Sequence, residues 1–269
     1  MDRIRRATER ALASGALEPI ATETAHVDAE GVRFLVRILT RLERKERAGG
    51  DGGDPFQDPP ETLIVGELSP THRCLLNRFN VLEHHLLIVT RRFVHQLEPL
   101  DRGDMDALAH CLDEIDGLGF YNGGRTAGAS QDHKHLQLVP LPLSEATPPV
   151  PIEPLLGERG SATCSERLPF RHALRWLEPE DSADGARLLR ACRDAACEAS
   201  VGPTDPYNLL VTRRWLMLVP RSREHFGDMS VNALGFAGSL LVRNREGLDA
   251  VRRAGPLRVL ASVSVPPPV

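Results

Sequence analysis

The feature that most constrains this chain is a short polar segment, residues 130–137, with the sequence Ser-Gln-Asp-His-Lys-His-Leu-Gln. If it forms a β-strand, successive side chains point to opposite faces, so His133, His135 and Gln137 share one face and Lys134 points to the other. Three polar side chains on one face cannot be buried against a core without partners. The pattern therefore predicts a sheet face that binds a ligand, holds a metal or carries a polar network.

A glycine-rich segment, predicted as a loop over residues 119–133, leads into this strand. Gly123, Gly124 and Gly128 allow backbone conformations in which several N–H groups converge on one anion. The serine and glutamine that follow add a hydroxyl and an amide donor. A phosphate cradle beside a histidine is the arrangement expected for phosphoryl or nucleotidyl transfer through a covalent phosphohistidine.

Two other interpretations stay open on the residues alone. A pair of histidines separated by one residue also suits zinc, and His84 or His85 could supply a further ligand. Against zinc, Gln137 is a poor ligand and no cysteine lies nearby in the sequence. The other alternative is a purely structural polar network. The loop before the strand favours nucleotide transfer over both.

Hydrophobic periodicity and breaker residues predict alternating helices and strands along the chain. One helix is predicted at the N-terminus, and a second one ends at residue 48. Further helices are predicted over 98–117, with Asp101 or Asp104 as the cap, over 181–200, and over 233–254. Strands are predicted over 31–39, 61–68 and 133–141, as a pair within 73–93 around a tight turn near Asn80 and Glu83, and as a pair within 206–222. The stretches 48–60 and 140–155 are predicted as a polar loop and a proline-rich crossover.

Two paired-strand units have a similar outline. Residues 77–91 and residues 208–221 each begin with Asn and end in a polar turn. This echo favours an α+β protein built from two related halves. We expect an N-terminal half over residues 1–150, with the histidine strand, and a C-terminal half over 151–269 that completes the nucleotide site within one compact unit.

Composition excludes several functional classes. The chain has 33 basic and 37 acidic residues and a net charge of −4, which argues against a general nucleic-acid coat. No apolar stretch of about 18 residues exists, and no apolar block follows the first basic residues, so we expect neither a membrane span nor a signal peptide. The five cysteines form no Cys-x-x-Cys pair, which is typical of buried thiols in a reducing cytoplasm. Only Lys45 and Lys134 are lysines; the other basic residues are arginines.

The segment 128–137, Gly-Ala-Ser-Gln-Asp-His-Lys-His-Leu-Gln, resembles the active-site signature of the ATP adenylyltransferase (diadenosine tetraphosphate phosphorylase) family, a branch of the histidine-triad superfamily. Further blocks resemble the family in the same order, over residues 55–68, 75–96, 120–124, 207–222 and 231–242. The resemblance covers nearly the whole chain. It implies a histidine-triad-like antiparallel sheet with flanking helices, and two halves related as in galactose-1-phosphate uridylyltransferase.

The resemblance also implies a reaction. His135 would attack an α-phosphorus of diadenosine tetraphosphate, expel ATP and form an adenylyl-histidine, and phosphate would then release ADP, reversibly. His133 would orient the site. Hydrolytic relatives carry a third histidine where this chain has Gln137; glutamine can bind a phosphate oxygen but cannot transfer a proton near neutral pH. The implied enzyme is therefore a nucleotidyltransferase that passes the adenylyl group to phosphate.

Further positions match family substrate contacts. They are Lys45, Asn77, Arg78, Asn122, Gly128, Ala129, Ser130, Gln131, Leu210, Val211, Thr212, Met217 and Arg221. The family often has lysine where this chain has Arg78, and the apolar positions could equally be core. The implied partners are diadenosine tetraphosphate, ATP, ADP and phosphate, with neither nucleic acid nor membrane. No obligatory cofactor is expected, although Mg²⁺ could accompany the polyphosphate.

Two rival functions are kept. A hexose-1-phosphate uridylyltransferase would share the histidine and glutamine, but in those enzymes the residue between the histidines resembles proline, and here it is Lys134. A regulator that binds nucleotide or metal without catalysis would bind substrate without turnover.

Overall fold

The structure, a computed structural model, describes residues 1–40, 53–160 and 163–268 of the chain. Most of the strands belong to one large antiparallel sheet. The strands are β1 (Thr22–Ala29), β2 (Val32–Leu39), β3 (Ile64–Glu67), β4 (His72–Leu76), β5 (Leu86–Thr90), β6 (Gly117–Asn122), β7 (His135–Pro140), β8 (Ala173–Trp176), β9 (Tyr207–Val211), β10 (Trp215–Pro220), β11 (His225–Phe226), β12 (Met229–Ser230) and β13 (Ser239–Val242).

Helices cover the sheet and follow its last strands. They are α1 (Asp2–Ala13), α2 (Arg102–Glu114), α3 (Pro179–Ser182), α4 (Gly185–Glu198), α5 (Ala233–Phe236), α6 (Arg245–Ala254) and α7 (Pro256–Val263). The start of α2 has a capping box: the Asp101 side chain accepts from the backbone N–H of Asp104, and the Asp104 side chain accepts from that of Asp101. These bonds satisfy two N–H groups around the first turn and fix where α2 begins.

The large sheet has eight strands in the order β3-β4-β5-β7-β6-β9-β10-β8. Every neighbouring pair in it is antiparallel. β6 joins the N-terminal strands to the C-terminal ones, because it pairs with β7 on one side and with β9 on the other. A second sheet, β1-β2-β13, contains one parallel pair. The predicted α+β class with a large antiparallel sheet and flanking helices is confirmed.

Both faces of the large sheet are buried. Along β10, Trp215 and Met217 pack in one core cluster with β2, α5 and α7, whereas Leu216 and Leu218 pack in the other with α2 and α4. A strand that is covered on both faces reads as a continuous apolar run, which explains why residues 215–219 show no polar alternation.

The predicted loop over residues 119–133 is wrong at its start, because β6 runs to Asn122. The glycines of β6 belong to the strand and do not form a loop. A Cβ atom at Gly119 would lie 2.6 Å from Cδ1 of Leu108 in α2, so glycine lets the helix pack directly on the strand.

The predicted helix over 233–254 is also wrong, since β13 interrupts it. Gly238 has φ of +90°, a conformation that favours glycine and ends the short α5. The next four residues pair in parallel with β2. Asn244 then caps α6 by accepting from the backbone N–H of Gly247. An apolar run of this length fits either a strand or a buried helix turn, which is why periodicity misassigned it.

Three further expectations have mixed outcomes. The strand predicted over 31–39 is β2, but its hairpin partner β1 was not predicted. The two strands predicted within 73–93 are β4 and β5, and their connection spans residues 77–85 and is no tight turn. The helix predicted up to residue 48 lies, from residue 41 onward, outside the described residues.

Candidate active site

His135, the first residue of β7, presents one ring nitrogen to a ligand. Its Nδ1 lies 2.8 Å from the backbone oxygen of His133. Since a carbonyl oxygen only accepts, Nδ1 carries the proton and Nε2 keeps its lone pair. Among the described residues Nε2 has no hydrogen-bond partner, so no side chain or backbone group there competes with a ligand for its lone pair.

The surroundings of His135 keep its ring neutral. Burial lowers the pKa of His135 to about 4; its bond to the His133 carbonyl counteracts this in part, and the nearby His133 ring adds to the lowering. The ring of Phe56 lies 5.2 Å from the imidazole, centroid to centroid, and covers it. A neutral imidazole with an unshared lone pair on Nε2 is the form that can attack phosphorus at pH 7.

His133, two residues earlier, has both ring nitrogens bonded to protein. Nδ1 lies 2.6 Å from Oδ2 of Asp54, and Nε2 lies 2.7 Å from the backbone oxygen and 2.9 Å from the hydroxyl of Thr90. The ring is therefore fixed in place, while the carbonyl of the same residue holds Nδ1 of His135. This geometry distinguishes the two histidines: His133 positions its neighbour, and His135 is free to react.

Gln137 lies on the same face as His135 and is held by a chain of hydrogen bonds. Its Oε1 lies 2.8 Å from Nε2 of His85, and Nδ1 of His85 lies 3.3 Å from Nδ2 of Asn77. Because Oε1 is occupied, the amide nitrogen of Gln137 is the end that can bind a ligand. That nitrogen too has no hydrogen-bond partner among the described residues.

Gln96 fixes the beginning of β7 from the neighbouring loop. Its Oε1 accepts from the backbone N–H of His135 at 2.8 Å, and its Nε2 donates to the backbone oxygens of Asn122 and His135 at 2.8 and 3.2 Å. The side chain is 1% exposed. Gln96 therefore ties the ends of β6 and β7 together at the reacting histidine.

The glycine-rich loop does not form the predicted anion nest from its glycine N–H groups. Those of Gly123, Gly124 and Gly128 are all bonded to backbone oxygens within the protein. Gly128 is required for a different reason: its φ is +90°, and a Cβ there would lie 2.8 Å from Cβ of Asn232. The N–H groups of Ser130 and Gln131, next to the histidines, are among several loop donors for which the described residues supply no acceptor.

The face of β7 opposite the histidines carries a buried ionic cluster. Lys134 donates from Nζ to Oδ2 of Asp104 and to the backbone oxygen of Pro99, both at 2.9 Å. His72 lies 3.0 Å from the other carboxylate oxygen of Asp104. Burial alone would raise the pKa of Asp104, but the bond with His72 and the charge of Lys134 lower it overall. Lys134 thus points away from the histidine face, as strand alternation predicts.

Asn122 and Arg221, both predicted substrate contacts, lie in a buried network below the loop. Nη1 of Arg221 donates to Oδ1 of Asn208 at 2.6 Å and to the backbone oxygen of Val231 at 2.8 Å, and Nε donates to that of Val263 at 3.0 Å. Asn208 donates to Oδ1 of Asn122 at 2.8 Å. The side chains of Asn122 and Arg221 thus bond to protein and support the loop from beneath.

The remaining predicted contacts fall into three groups. Leu210, Val211 and Met217 are fully buried core side chains, and the Thr212 hydroxyl accepts from backbone N–H groups in the β9–β10 turn. Arg78 is exposed and forms an ion pair with Glu18 at 2.8 Å. Asn77, Ala129, Ser130 and Gln131 lie in the connection before β5 and in the loop before β7. Lys45 lies outside the described residues.

Sequence reasoning missed several residues that support the site. Asp54, Thr90 and Gln96 bond directly to the histidines, and none carries a motif of its own. Thr90 did have a local signal, because it is the one polar residue of the apolar strand β5. His85 was considered as a zinc ligand, but it bonds to Gln137 instead.

The described residues form neither a metal site nor a membrane-spanning helix. In that part of the chain, no three His, Cys, Asp or Glu side chains converge as a metal site would require. No helix there is long and apolar enough to cross a membrane.

Two family models together match almost the whole chain. The Ap4A phosphorylase N-terminal domain matches residues 1–158, and the ATP adenylyltransferase C-terminal domain matches residues 166–266.

Similar proteins come from Saccharomyces cerevisiae. Diadenosine 5',5'''-P1,P4-tetraphosphate phosphorylase 2 is 27% identical, over 81% of this chain and 77% of its own length. Protein APA1 is 28% identical, over 87% of this chain and 83% of its own. Among solved structures, yeast Ap4A phosphorylase Apa2 in complex with AMP aligns with a TM-score of 0.84 and 26% identity, covering 100% of this chain and 98% of that one.

Proposed function

Because the chain belongs to the Ap4A phosphorylase family, we propose that it splits diadenosine tetraphosphate with inorganic phosphate into ATP and ADP, reversibly. One observation supports this above all: Nε2 of His135 is unprotonated and has no hydrogen-bond partner among the described residues, and it lies on the same sheet face as the amide of Gln137. The match to the Ap4A phosphorylase family favours a substrate that donates an adenylyl group over one that donates a uridylyl group.

In the first step, Nε2 of His135 attacks the α-phosphorus. A P–N bond forms, the bond from that phosphorus to its bridging oxygen breaks, and ATP leaves with the electron pair. Nδ1 keeps its proton throughout, and its bond to the His133 carbonyl stabilises the positive charge that the ring acquires. The amide nitrogen of Gln137 donates to a non-bridging oxygen, whose charge it stabilises in the transition state.

In the second step, an oxygen of inorganic phosphate attacks the same phosphorus. A P–O bond forms, the P–N bond breaks, ADP leaves and the ring of His135 returns to its neutral form. Gln137 has no proton to exchange near neutral pH, so it cannot help activate water as an acidic or basic side chain could. We therefore expect phosphate to be the preferred acceptor.

Replacement of His135 by Ala tests the proposal. We expect the variant to lose phosphate-dependent formation of ATP and ADP from diadenosine tetraphosphate, because the nucleophile is gone. His110→Ala is the matched control, since that histidine lies half-exposed on α2. Intact mass of the wild-type protein, mixed with substrate without phosphate, should rise by one adenylyl group on a peptide with His135. Retained turnover in His135→Ala would contradict the proposal.

We further propose that Ser130 and Gln131 bind the polyphosphate, because they lie next to the histidines and no described residue accepts from their N–H groups. Lys45, Asn77, Arg78, Asn122, Gly128, Ala129 and the C-terminal positions Leu210, Val211, Thr212, Met217 and Arg221 stay predicted contributors to the nucleotide sites. Mg²⁺ would arrive on the phosphates of the substrate. Titration of the reaction with a chelator checks that expectation.

A cytoplasmic location is a separate proposal. It is supported by the five cysteines, all of which are free thiols. Fractionation of the source cells, with detection of the protein in the cytosolic fraction, would test it.

A further inference from the structure

The amide of Gln137 can serve the reaction in only one of two orientations. Its nitrogen can donate to a phosphate oxygen, whereas its oxygen would repel that oxygen. The two ends have nearly the same shape, so packing alone does not choose between them. The choice has to come from a hydrogen-bond partner that is itself fixed as a donor or an acceptor.

The partner of Gln137 is His85, and its hydrogen-bonding roles are set by Asn77. The Oδ1 atom of Asn77 accepts from the backbone N–H of Phe79 at 3.3 Å, which leaves its Nδ2 to face Nδ1 of His85. Since Nδ2 only donates, Nδ1 of His85 must accept. The proton of a neutral ring then lies on Nε2, 2.8 Å from Oε1 of Gln137.

The neutral state that this argument needs is provided by the surroundings of His85. Its side chain is 8% exposed and packs near the ring of Phe120. Burial lowers the pKa of His85 to about 4, against a smaller raising effect of its bond to Gln137, and the nearby His135 lowers it a little further. At pH 7 the ring therefore has one N–H, and the bond to Gln137 uses it.

We propose that His85 is a positioning residue of the transfer reaction: through the chain Asn77–His85–Gln137 it holds the carboxamide oxygen of Gln137 and turns the amide nitrogen toward the phosphate on His135. The inference rests on the proposed function. Both ring nitrogens of His85 bond to protein, to Gln137 and to Asn77, so His85 acts on the reaction through Gln137.

The position of the chain in the sheet fits this role. Asn77 and His85 close the ends of the connection between β4 and β5 through a backbone bond of 2.8 Å, from the N–H of Asn77 to the oxygen of His85. Gln137 lies between Leu87 of β5 and Phe120 of β6. Two residues along a strand span about 7 Å, so the backbone places His135 and Gln137 as next neighbours on one face, and one phosphate group can contact both side chains.

Two substitutions of His85 distinguish loss of the hydrogen-bond donor to Gln137 from a change in side-chain packing. The amide nitrogen of His85→Gln reaches the place of Nε2 and can donate to Gln137, whereas His85→Asn has polar atoms only near the place of Nδ1. We expect His85→Asn to lower kcat for diadenosine tetraphosphate by about tenfold or more, with KM within about threefold. His85→Gln should recover most of that loss, and the surface control His110→Gln should match wild type.

A double-mutant cycle tests whether His85 acts through Gln137. In a Gln137→Ala background, His85→Asn should cost no further activity, within about twofold, because there is no amide left to orient. Losses that multiply would overturn the inference, as would a fully active His85→Asn or equal losses in His85→Asn and His85→Gln.

A second measurement does not need activity. Nitrogen-15 NMR of histidine-labelled wild-type protein should show the ring of His85 neutral at pH 7, with its proton on Nε2; a proton on Nδ1 would overturn the inference. If wild type fails to cleave diadenosine tetraphosphate, the proposed reaction fails, and the tautomer still decides whether this chain of hydrogen bonds orients Gln137.

Discussion

Two histidines two residues apart, one just before β7 and one at its first residue, have different chemistry because their ring nitrogens have different partners. His133 is bonded at Nδ1 by Asp54 and at Nε2 by Thr90, so its ring is fixed. His135 is bonded at Nδ1, and no described residue bonds to its Nε2. The sequence motif contains both residues but not this difference, which depends on partners that are distant in the chain.

At the same scale, the low pKa of His135 predicts how the rate depends on pH. Protonation of Nε2 would remove the nucleophile, so the rate of the first step should stay constant as pH falls from 8 and decline only toward pH 4, near the lowered pKa of His135. The measurement is single-turnover release of ATP without phosphate, because inorganic phosphate titrates near neutrality. A decline centred between pH 6 and 7, where an ordinary histidine titrates, would contradict the expectation.

At the scale of elements, α2 and β7 are joined by the cluster of Lys134, Asp104 and His72. Asp104 also belongs to the capping box that starts α2, so one carboxylate fixes both the helix end and the strand that carries the histidines. Periodicity located α2 and its capping residues correctly. It could not show that Lys134 binds this cap, because the contact joins residues thirty positions apart.

Replacement of Lys134 by Met should therefore destabilise the protein strongly. The change leaves a buried carboxylate without its cation, at a cost of about 3 kcal/mol in the free energy of unfolding. Urea denaturation measures this. Arg102→Ala is the control, because its ion pair with Asp106 on the surface of α2 is exposed and should contribute much less to stability. Equal effects of the two variants would show that the buried pair contributes no more than a surface pair.

For the whole molecule, the eight-stranded sheet makes the predicted halves depend on each other. β6 belongs to the first half and β9 to the second, and four residue pairs, from Gly119↔Val211 to Asn122↔Asn208, join them. The division at about residue 150 stays a proposal. The similarity of the two halves also stays a proposal, because short repeats of strand, turn and strand arise in unrelated sheets.

The shared sheet predicts that neither half folds alone. A fragment of residues 1–158 lacks β9, so it would expose the unpaired edge of β6 and a sheet face that is buried in the whole protein. Unpaired strand edges promote aggregation. We expect this fragment to be insoluble or unfolded by circular dichroism, and the co-expressed fragments 1–158 and 159–269 to recover folded protein. Independent cooperative unfolding of the first fragment would contradict the expectation.

Acid should also lower the free energy of unfolding of the whole protein, at pH values above those at which carboxylates titrate. Burial lowers the pKa of His85 and His135 to about 4, so between pH 6.5 and 4 the unfolded chain binds more protons than the folded one. Stability is then present above pH 6.5 and falls as pH drops through this window, by roughly 3 kcal/mol for each histidine. Urea midpoints at pH 7.5, 6 and 5 measure the loss. A His85→Gln, His135→Gln double variant should show a flatter dependence, and an equally steep one would contradict the assignment.

Sequence reasoning recovered the sheet-forming strands of the site better than the C-terminal third. Alternation alone placed His135 and Gln137 on one face and Lys134 on the other, because the period of a strand is fixed. It failed over residues 233–254, where an apolar run suits helix and strand alike, and at β6, where glycines allow α2 to approach closely. In both cases the deciding contact comes from a distant part of the chain.

Because the amine of Lys134 is buried, the native chain has almost no side-chain amine that a reagent in solution can modify. Only one other lysine, Lys45, exists in the sequence. A reagent that acylates amines can reach Lys134 only when β7 and α2 separate, because its side chain is 3% exposed. Acylation of the peptide that contains Lys134, followed over time by mass spectrometry, would therefore report how often the protein opens behind its active site.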